Sequence, residues 1–237
     1  MTTSAAQPAK PSVPLTLRGD FHMHTWFSKD CMTPPEKLVE RCRKVGLDCI
    51  AMTEHNTIKG ALEAKHIAPF RVIVAEEIKT THGEITGMFL KDEVPKGLSP
   101  EETVKRIKAQ GGLVSIPHPF DRFRRSPLEY DALLRIVQDV DIIEVFNART
   151  TLLRDSHRAA AFAREHGKVA GAGSDSHSAH ELGSVFVHLP EFDINDPQSF
   201  KAALNHARIE GRRANPLVHL ISKFAKYKKR FGLGVHE

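Results

Sequence analysis

The amino-acid sequence predicts an α/β fold closed into a TIM-like barrel, and three observations carry that prediction. Strand-like and helix-like segments alternate in βα order from residue 15 to residue 211. About seven such units suit a barrel better than an open sheet. Polar residues of metal-binding type stand where the strands end, which is where such barrels keep their chemistry.

The elements follow in order. Leu15 to His24 reads as a strand, and Pro34 to Val45 as a helix with Thr33 as N-cap and Gly46 after it. Asp48 to Thr53 is a short apolar run, hence a buried strand, and Thr57 to Lys65 is helical. Arg71 to Ala75 and Ile85 to Leu90 are strands. Ser99 caps a helix with Pro100 at its first position and Glu102 in capping-box position, and that helix stops at Gly111-Gly112. Leu113 to Ile116 is a strand, Pro127 to Val137 a helix and Asp141 to Phe146 a strand. Thr151 to His166 is an alanine-rich helix closed by Gly167. Lys168 to Ala172 and Val185 to Leu189 are strands, and Pro197 to Ala207 is the last helix of the body. The repeat implies a parallel sheet.

Composition divides the chain into three parts. Residues 1–14 read as a flexible leader without the apolar run of a signal peptide, 15–211 as the barrel, and 212–237 as a basic amphipathic tail. The tail carries +6 and the rest −1, so the net charge of +5 belongs to the tail. Charge is therefore weak support for nucleic-acid binding by the barrel. In the tail, Leu217, Leu220, Ile221, Phe224 and Phe231 fall at helical spacing, and that apolar face is expected to dock on the barrel. Cys31, Cys42 and Cys49 make an odd set without a C-x-x-C, which argues against a disulfide framework and thiolate zinc and fits a cytoplasmic location. No stretch reaches the roughly 18 apolar residues of a membrane span.

Five polar clusters coincide with five strand ends. In Asp20-Phe21-His22-Met23-His24 the period of two puts both imidazoles on one face, with Asp20 able to orient one of them. Glu54-His55 follow the next strand, and Glu76-Glu77 the third, one to bridge metals and the other to meet a cation or solvent. His118 lies between Pro117 and Pro119, which restrict its backbone, and Arg122 follows with a guanidinium suited to an anionic oxygen. Arg124 and Arg125 read as surface loop. Asp175 and His177 close a segment of small residues, Gly171 to Ser176. Singly these are also read as a satisfied histidine pair on an exposed strand, a helix cap, surface carboxylates, a basic loop and a glycine-rich turn with a helix cap. Their coincidence with strand ends is the argument. Histidine with carboxylate suits Zn, Mn or Fe, and clustered divalent ions can activate water and hold both oxygens of a phosphoryl displacement.

These residues bring a family into view. DFHMHTWFSKD, TEHNT, AEEI, PHPFDR, EVFNAR and GSDSHSAHELG resemble the PHP (polymerase and histidinol phosphatase) domain family from about Asp20 to the last helix. The resemblance implies a distorted (β/α)7 barrel with two or three divalent ions. His22, His24, Glu77 and Asp175 would hold one ion. Glu77 would bridge to a second that also uses His118. Asp30, His55 and His177 would hold a third, Asp30 entering only through the resemblance. Arg122 and Arg149 match phosphate-clamp positions. Glu54 departs from the aspartate, and Glu84 from the histidine ligand, that many relatives carry. The expectation is hydrolysis of small phosphomonoesters, nucleotides or sugar phosphates by a metal-activated hydroxide, with His118 or His177 protonating the leaving group. A nuclease or amidohydrolase on the same ions, and a metal-stabilised binding module without turnover, are the rivals.

Overall fold

A computed structural model describes residues 14–124, 126–215 and 217–231. The expected leader apart from Pro14, Arg125 and the side chain of Ile221 lie outside the described residues. The fold is mixed α/β, with a nearly closed, barrel-shaped sheet and, among the described residues, seven α-helices. The elements are β1 (Leu17–Asp20), α1 (Pro35–Val45), β2 (Cys49–His55), α2 (Lys59–Ile67), β3 (Arg71–Thr80), β4 (Gly83–Met88), α3 (Pro100–Ala109), β5 (Leu113–Ile116), α4 (Tyr130–Ile136), β6 (Ile142–Asn147), α5 (Leu153–Glu165), β7 (Val169–Gly173), β8 (Val185–Leu189), α6 (Pro197–Leu204), β9 (Arg208–Gly211) and α7 (Val218–Arg230). The sheet order is β7-β6-β5-β4-β3-β2-β1-β8-β9.

The sheet is not purely parallel, which corrects the sequence expectation. The pairs β1–β2, β2–β3, β5–β6 and β6–β7 are parallel, but β4 runs antiparallel to both β3 and β5. β8 runs antiparallel to β1 and β9. The cause of the first reversal is local. β3 continues to Thr80 and turns directly into β4, so no crossover helix separates them. β9 is short, exposed and largely polar, and its RIEG segment has no apolar alternation to mark it. β1 ends at Asp20, and the chain beyond continues as one isolated bridge, Met23 to Ser176, with backbone bonds on either side of it.

Two apolar layers follow from strand alternation. Ile50, Met52, Val72 and Val74 face the layer shared with α1 to α5. Cys49, Ala51, Ile73 and Ala75 face the barrel interior, where Phe200 of α6 packs edge-on against Phe21 at 5.0 Å. The Ser99 hydroxyl caps α3 by accepting from Glu102 N at 3.2 Å. The Glu102 carboxylate takes Arg106 at 2.8 Å rather than closing the capping box. Pro34, not Thr33, is the N-cap of α1, and no side chain bonds there.

Candidate metal centre

The alternation that sorts the core also sorts the acids. His55 and Glu77 share the interior parity of Ala51 and Ala75, whereas Glu54 and Glu76 share the outer one. Glu76 is accordingly buried away from the centre and accepts from Val94 N at 2.9 Å. The sequence reading had given it a cation or solvent; it takes a backbone amide instead. Burial pushes its carboxyl up to about 7.

His22 and His24 arrive from one side of the barrel seam, and Asp175 and His177 from the other. Asp175 N donates to His22 O at 2.7 Å, and His24 N to Ser176 O at 2.9 Å. The approach is close enough that a Cβ at Gly173 would overlap His22. Asp20 does not orient an imidazole as expected: it accepts from Ser174 N at 2.8 Å and His22 N at 3.4 Å, and so holds the seam. His118 and Asp175 have φ of 31° and 54°, left-handed values that non-glycine residues rarely adopt. At His118 this breaks the alternation of β5.

The donor atoms converge on Glu77 and Asp175. His22 Nε2 lies 3.6 Å from Glu77 Oε1 and 3.7 Å from Asp175 Oδ1. His24 Nε2 lies 3.6 Å from Glu77 Oε2 and 3.4 Å from Asp175 Oδ1. Both imidazole nitrogens and Asp175 Oδ1 are buried without a hydrogen-bond partner. Two ligands each about 2.1 Å from one tetrahedral ion stand about 3.4 Å apart. These atoms are therefore too far apart for good hydrogen bonds and spaced for a shared cation. Alongside, Asp30 Oδ1 lies 3.5 Å from His55 Nε2 and 3.4 Å from His177 Nε2. His118 Nε2 lies 3.0 Å from Glu77 Oε1 and 3.9 Å from Glu84 Oε2. Glu84 also joins His55 and Glu77 in a ligand-spaced group. The sequence-predicted residues His22, His24, Asp30, His55, Glu77, His118, Asp175 and His177 thus lie together, and their donor set fits divalent ions.

Neighbours set the tautomers. His22 Nδ1 donates to Glu144 Oε1 at 3.0 Å, which leaves Nε2 with its lone pair. The Ser28 hydroxyl donates to Glu54 Oε2 at 2.5 Å, so it accepts from His24 Nδ1 at 3.2 Å and frees His24 Nε2 likewise. Glu54, one methylene longer than the aspartate expected there, fits because Gly60 has no Cβ to collide with its carboxyl. Glu144 also accepts from His118 N at 2.7 Å.

Charge follows the same plan. Burial, with the neighbouring His177 and His55 adding to it, lowers His24 to about 3, so its ring is neutral. Burial disfavours the charged forms of Asp175 and Glu77, yet Arg124 and His22 hold the first, and His22 and His55 the second, well below the usual carboxylate range. Asp30 is lowered as well, its burial outweighed by His177 and His55. Burial opposes a proton on His22, but Asp175, Glu144 and Glu77 overcome it and raise that ring well above its usual value. A divalent cation there answers the same need for positive charge.

The arginines correct the sequence reading. Arg122 points away: its side chain is 53% exposed and reaches Asp155 at 3.5 Å. Arg124, read from sequence as surface, is 17% exposed and bonds Asp175. Arg149 is buried at His177 Nδ1 (2.7 Å) and Glu181 (3.0 Å), and it also donates to Val218 O (2.8 Å) and Ser222 Oγ (2.7 Å) of α7. Sequence reasoning missed this helix as part of the site. An open cavity of about 390 Å³ over the centre is lined by Asp30, His55, Glu84, Arg124, Arg149 and His177, and by Ser222, Lys223 and Lys226 of α7. The helix does dock, but with the face opposite to that expected. Ala225 is buried, while Leu217, Leu220, Phe224, Tyr227 and Phe231 are 57–63% exposed.

Comparison with known proteins places this architecture. Residues 20–158 match the PHP domain model, and residues 154–209 a PHP-associated model. The chain belongs to the PHP domain family. An uncharacterised protein of Methanocaldococcus jannaschii is 40% identical over 146 residues, covering 56% of this chain and 82% of the relative. A second from the same organism is 31% identical over 199 residues, covering 82% and 80%. A crystal structure of a two-domain Bacteroides vulgatus protein containing a predicted PHP-like metal-dependent phosphoesterase superposes with a TM-score of 0.66 at 20% identity, covering 88% of this chain and 70% of that one. Among the described residues no helix is long and apolar enough to cross a membrane.

Proposed function

We propose that the chain is a metal-dependent phosphoesterase acting on small phosphorylated molecules, with phosphomonoesters, nucleotides and sugar phosphates as the substrate class. The observation that carries this reading is the set of buried, partnerless donor atoms on His22, His24 and Asp175 around Glu77, spaced for shared cations. His22, His24, Glu77 and Asp175 hold one divalent ion, Glu77 and His118 a second, and Asp30, His55 and His177 a third, with Glu84 a carboxylate within reach of the second. Zn, Mn and Fe all suit this set. When bound, such ions activate water and offset charge on the phosphoryl oxygens.

The chain's own groups do the rest. Arg124 holds Asp121 through Nε and Asp175 through Nη2, which leaves Nη1 for an oxygen that the ions do not cover. It takes the role first assigned to Arg122. Arg149, occupied by Glu181 and α7, fixes His177. His118 and His177, first read as proton donors, are ligands through Nε2 in this reading and have no proton at that atom to give, so water protonates the departing oxygen.

The test is a panel of phosphate esters assayed after chelation and after separate addition of Mn, Zn and Fe. Chelation should abolish turnover, and one of the ions should restore it. Full activity in protein shown metal-free by elemental analysis would overturn the reading. Turnover of amides or oligonucleotides with none of small esters would move it to the rival enzymes.

A further inference from the structure

We propose that Lys223 and Lys226 of α7, with Lys29 and Lys79 of the same cavity lining, form a second anion subsite that selects substrates carrying another anionic group away from the scissile phosphate. The inference rests on the phosphoesterase reading and names the substrate class within it. All four lysines line the cavity over the centre, and all four are exposed. The lysine ion pairs among the described residues are Lys44–Glu40, Lys108–Asp141 and Lys201–Asp141, so none of the four has a carboxylate partner among those residues. The acids lining the cavity are Asp30 and Glu84, and both belong to the floor. Floor and rim thus differ in charge: the floor gathers carboxylates around the ions, and the rim gathers cations. One phosphate seated on the floor leaves the rim amines unused. An anionic group on the far end of the same molecule uses them.

The rim is also built rather than loose. α7 is pinned by Arg149, which donates to Val218 O and Ser222 Oγ, and by Lys229, which donates to Ser28 O at 2.7 Å and to Trp26 O. Ser28 is the same residue that sets the His24 tautomer, so helix and centre share an anchor. Ser222 and Ala225 face the barrel, and Lys223 and Lys226, three apart on one side of the helix, fall beside them. The tail is therefore a wall of the pocket, and its charge bears on small anions.

The experiment compares ethanediol, butanediol and hexanediol bisphosphates with ethyl, butyl and hexyl phosphates on the metal-loaded full chain. Inorganic phosphate is added to the monophosphates in a further arm. At one chain length the bisphosphate should exceed its monophosphate in kcat/KM by about 10-fold or more, carried by KM. Added phosphate should not reproduce the gain, because the second group must be tethered. Lys223→Met with Lys226→Met should remove the preference, and the paired arginine substitutions should retain it. Equal kcat/KM for both kinds of ester, or a preference that survives the methionine pair, would overturn the subsite while leaving phosphoesterase activity standing. If no ester is turned over, the phosphoesterase reading fails instead. Calorimetry with hexane bisphosphonate against hexyl phosphonate then decides the subsite alone: tighter binding lost in the methionine pair supports it, and equal binding overturns it. Unchanged helicity and melting temperature certify the variants, and the glutamine pair replaces the methionine pair if either changes.

Discussion

The barrel mouth and α7 invert the usual order in opposite ways. At the mouth, His22, His24, Glu77 and Asp175 are buried, although each is a residue water holds well. On α7, Leu217, Leu220, Phe224, Tyr227 and Phe231 face outward, although each gains by leaving water. The mouth bears its polar burial because every group is bonded or spaced for a cation. The helix bears its apolar exposure because polar bonds, Arg149 to Val218 and Lys229 to Ser28, decide its orientation. Burial in this protein is set by chemistry in one region and by a few anchoring bonds in the other.

The sharpest way to break that comparison is at Glu77. Glu77→Gln should lose about 10-fold or more in metal affinity, because the carboxylate proposed to be shared between ions is replaced by a neutral amide. Glu76→Gln, one residue away on the outer parity, should hold its metal. Elemental analysis of both decides, and greater loss from the Glu76 variant would reverse the assignment. Next come the two arginines. Arg124→Lys should lower phosphomonoester turnover by about 10-fold, and Arg122→Lys should leave it near wild type. Steady-state kinetics with the dominant effect at Arg122 would restore the sequence reading.

A contrast away from the mouth sharpens the point. Asp141 accepts from Lys201 at 2.7 Å, from Lys108 and from Val114 N at 2.9 Å. Burial opposes its charge, but those lysines outweigh the burial and hold its carboxyl below the usual range. The folded value lies under the unfolded one, so the stabilisation is full above the unfolded pKa and fades as pH falls through the folded one. Asp141→Asn should therefore cost about 1–3 kcal/mol at neutral pH and progressively less in acid, by denaturant titration. A cost that grows on acidification would contradict the sign. The smallest effects belong to α7. Phe224→Ser should change stability by no more than about 0.5 kcal/mol, whereas Ala225→Leu should cost about 1–3 kcal/mol. Melting curves showing the reverse would mean that the apolar stripe is the docked face.

Much of this was legible from the sequence, and the gaps have physical causes. β5 and β8 match the expected spans residue for residue, because short runs that begin after a glycine turn and stop at a proline have sharp ends. The ligand residues are legible for a related reason, since strand ends are where alternation stops and polar residues begin. Strand direction is not, because a period of two is the same in both directions, and β4 reverses unseen. Arg122 and Arg124 lie in a loop without any period, so residue type alone could not say which one turns inward. The tail stripe marked a helix correctly and its docked face wrongly, because the moment of a helix does not register an arginine reaching up from another strand end.

The seam has a further consequence. Asp20, His22 and His24 meet Ser174, Asp175 and Ser176 through a handful of backbone bonds, with one isolated bridge at Met23. Of the proposed first ion's four ligands, His22 and His24 come from one side of that gap and Asp175 from the other, while Glu77 reaches in from β3. An ion seated there acts as a clasp on the barrel, and its binding energy resists the opening of the gap. Amide hydrogen exchange at His24 and Asp175 would then report ion occupancy directly, slowing as metal is titrated in, while the amides of β2 and β3 keep their own pace.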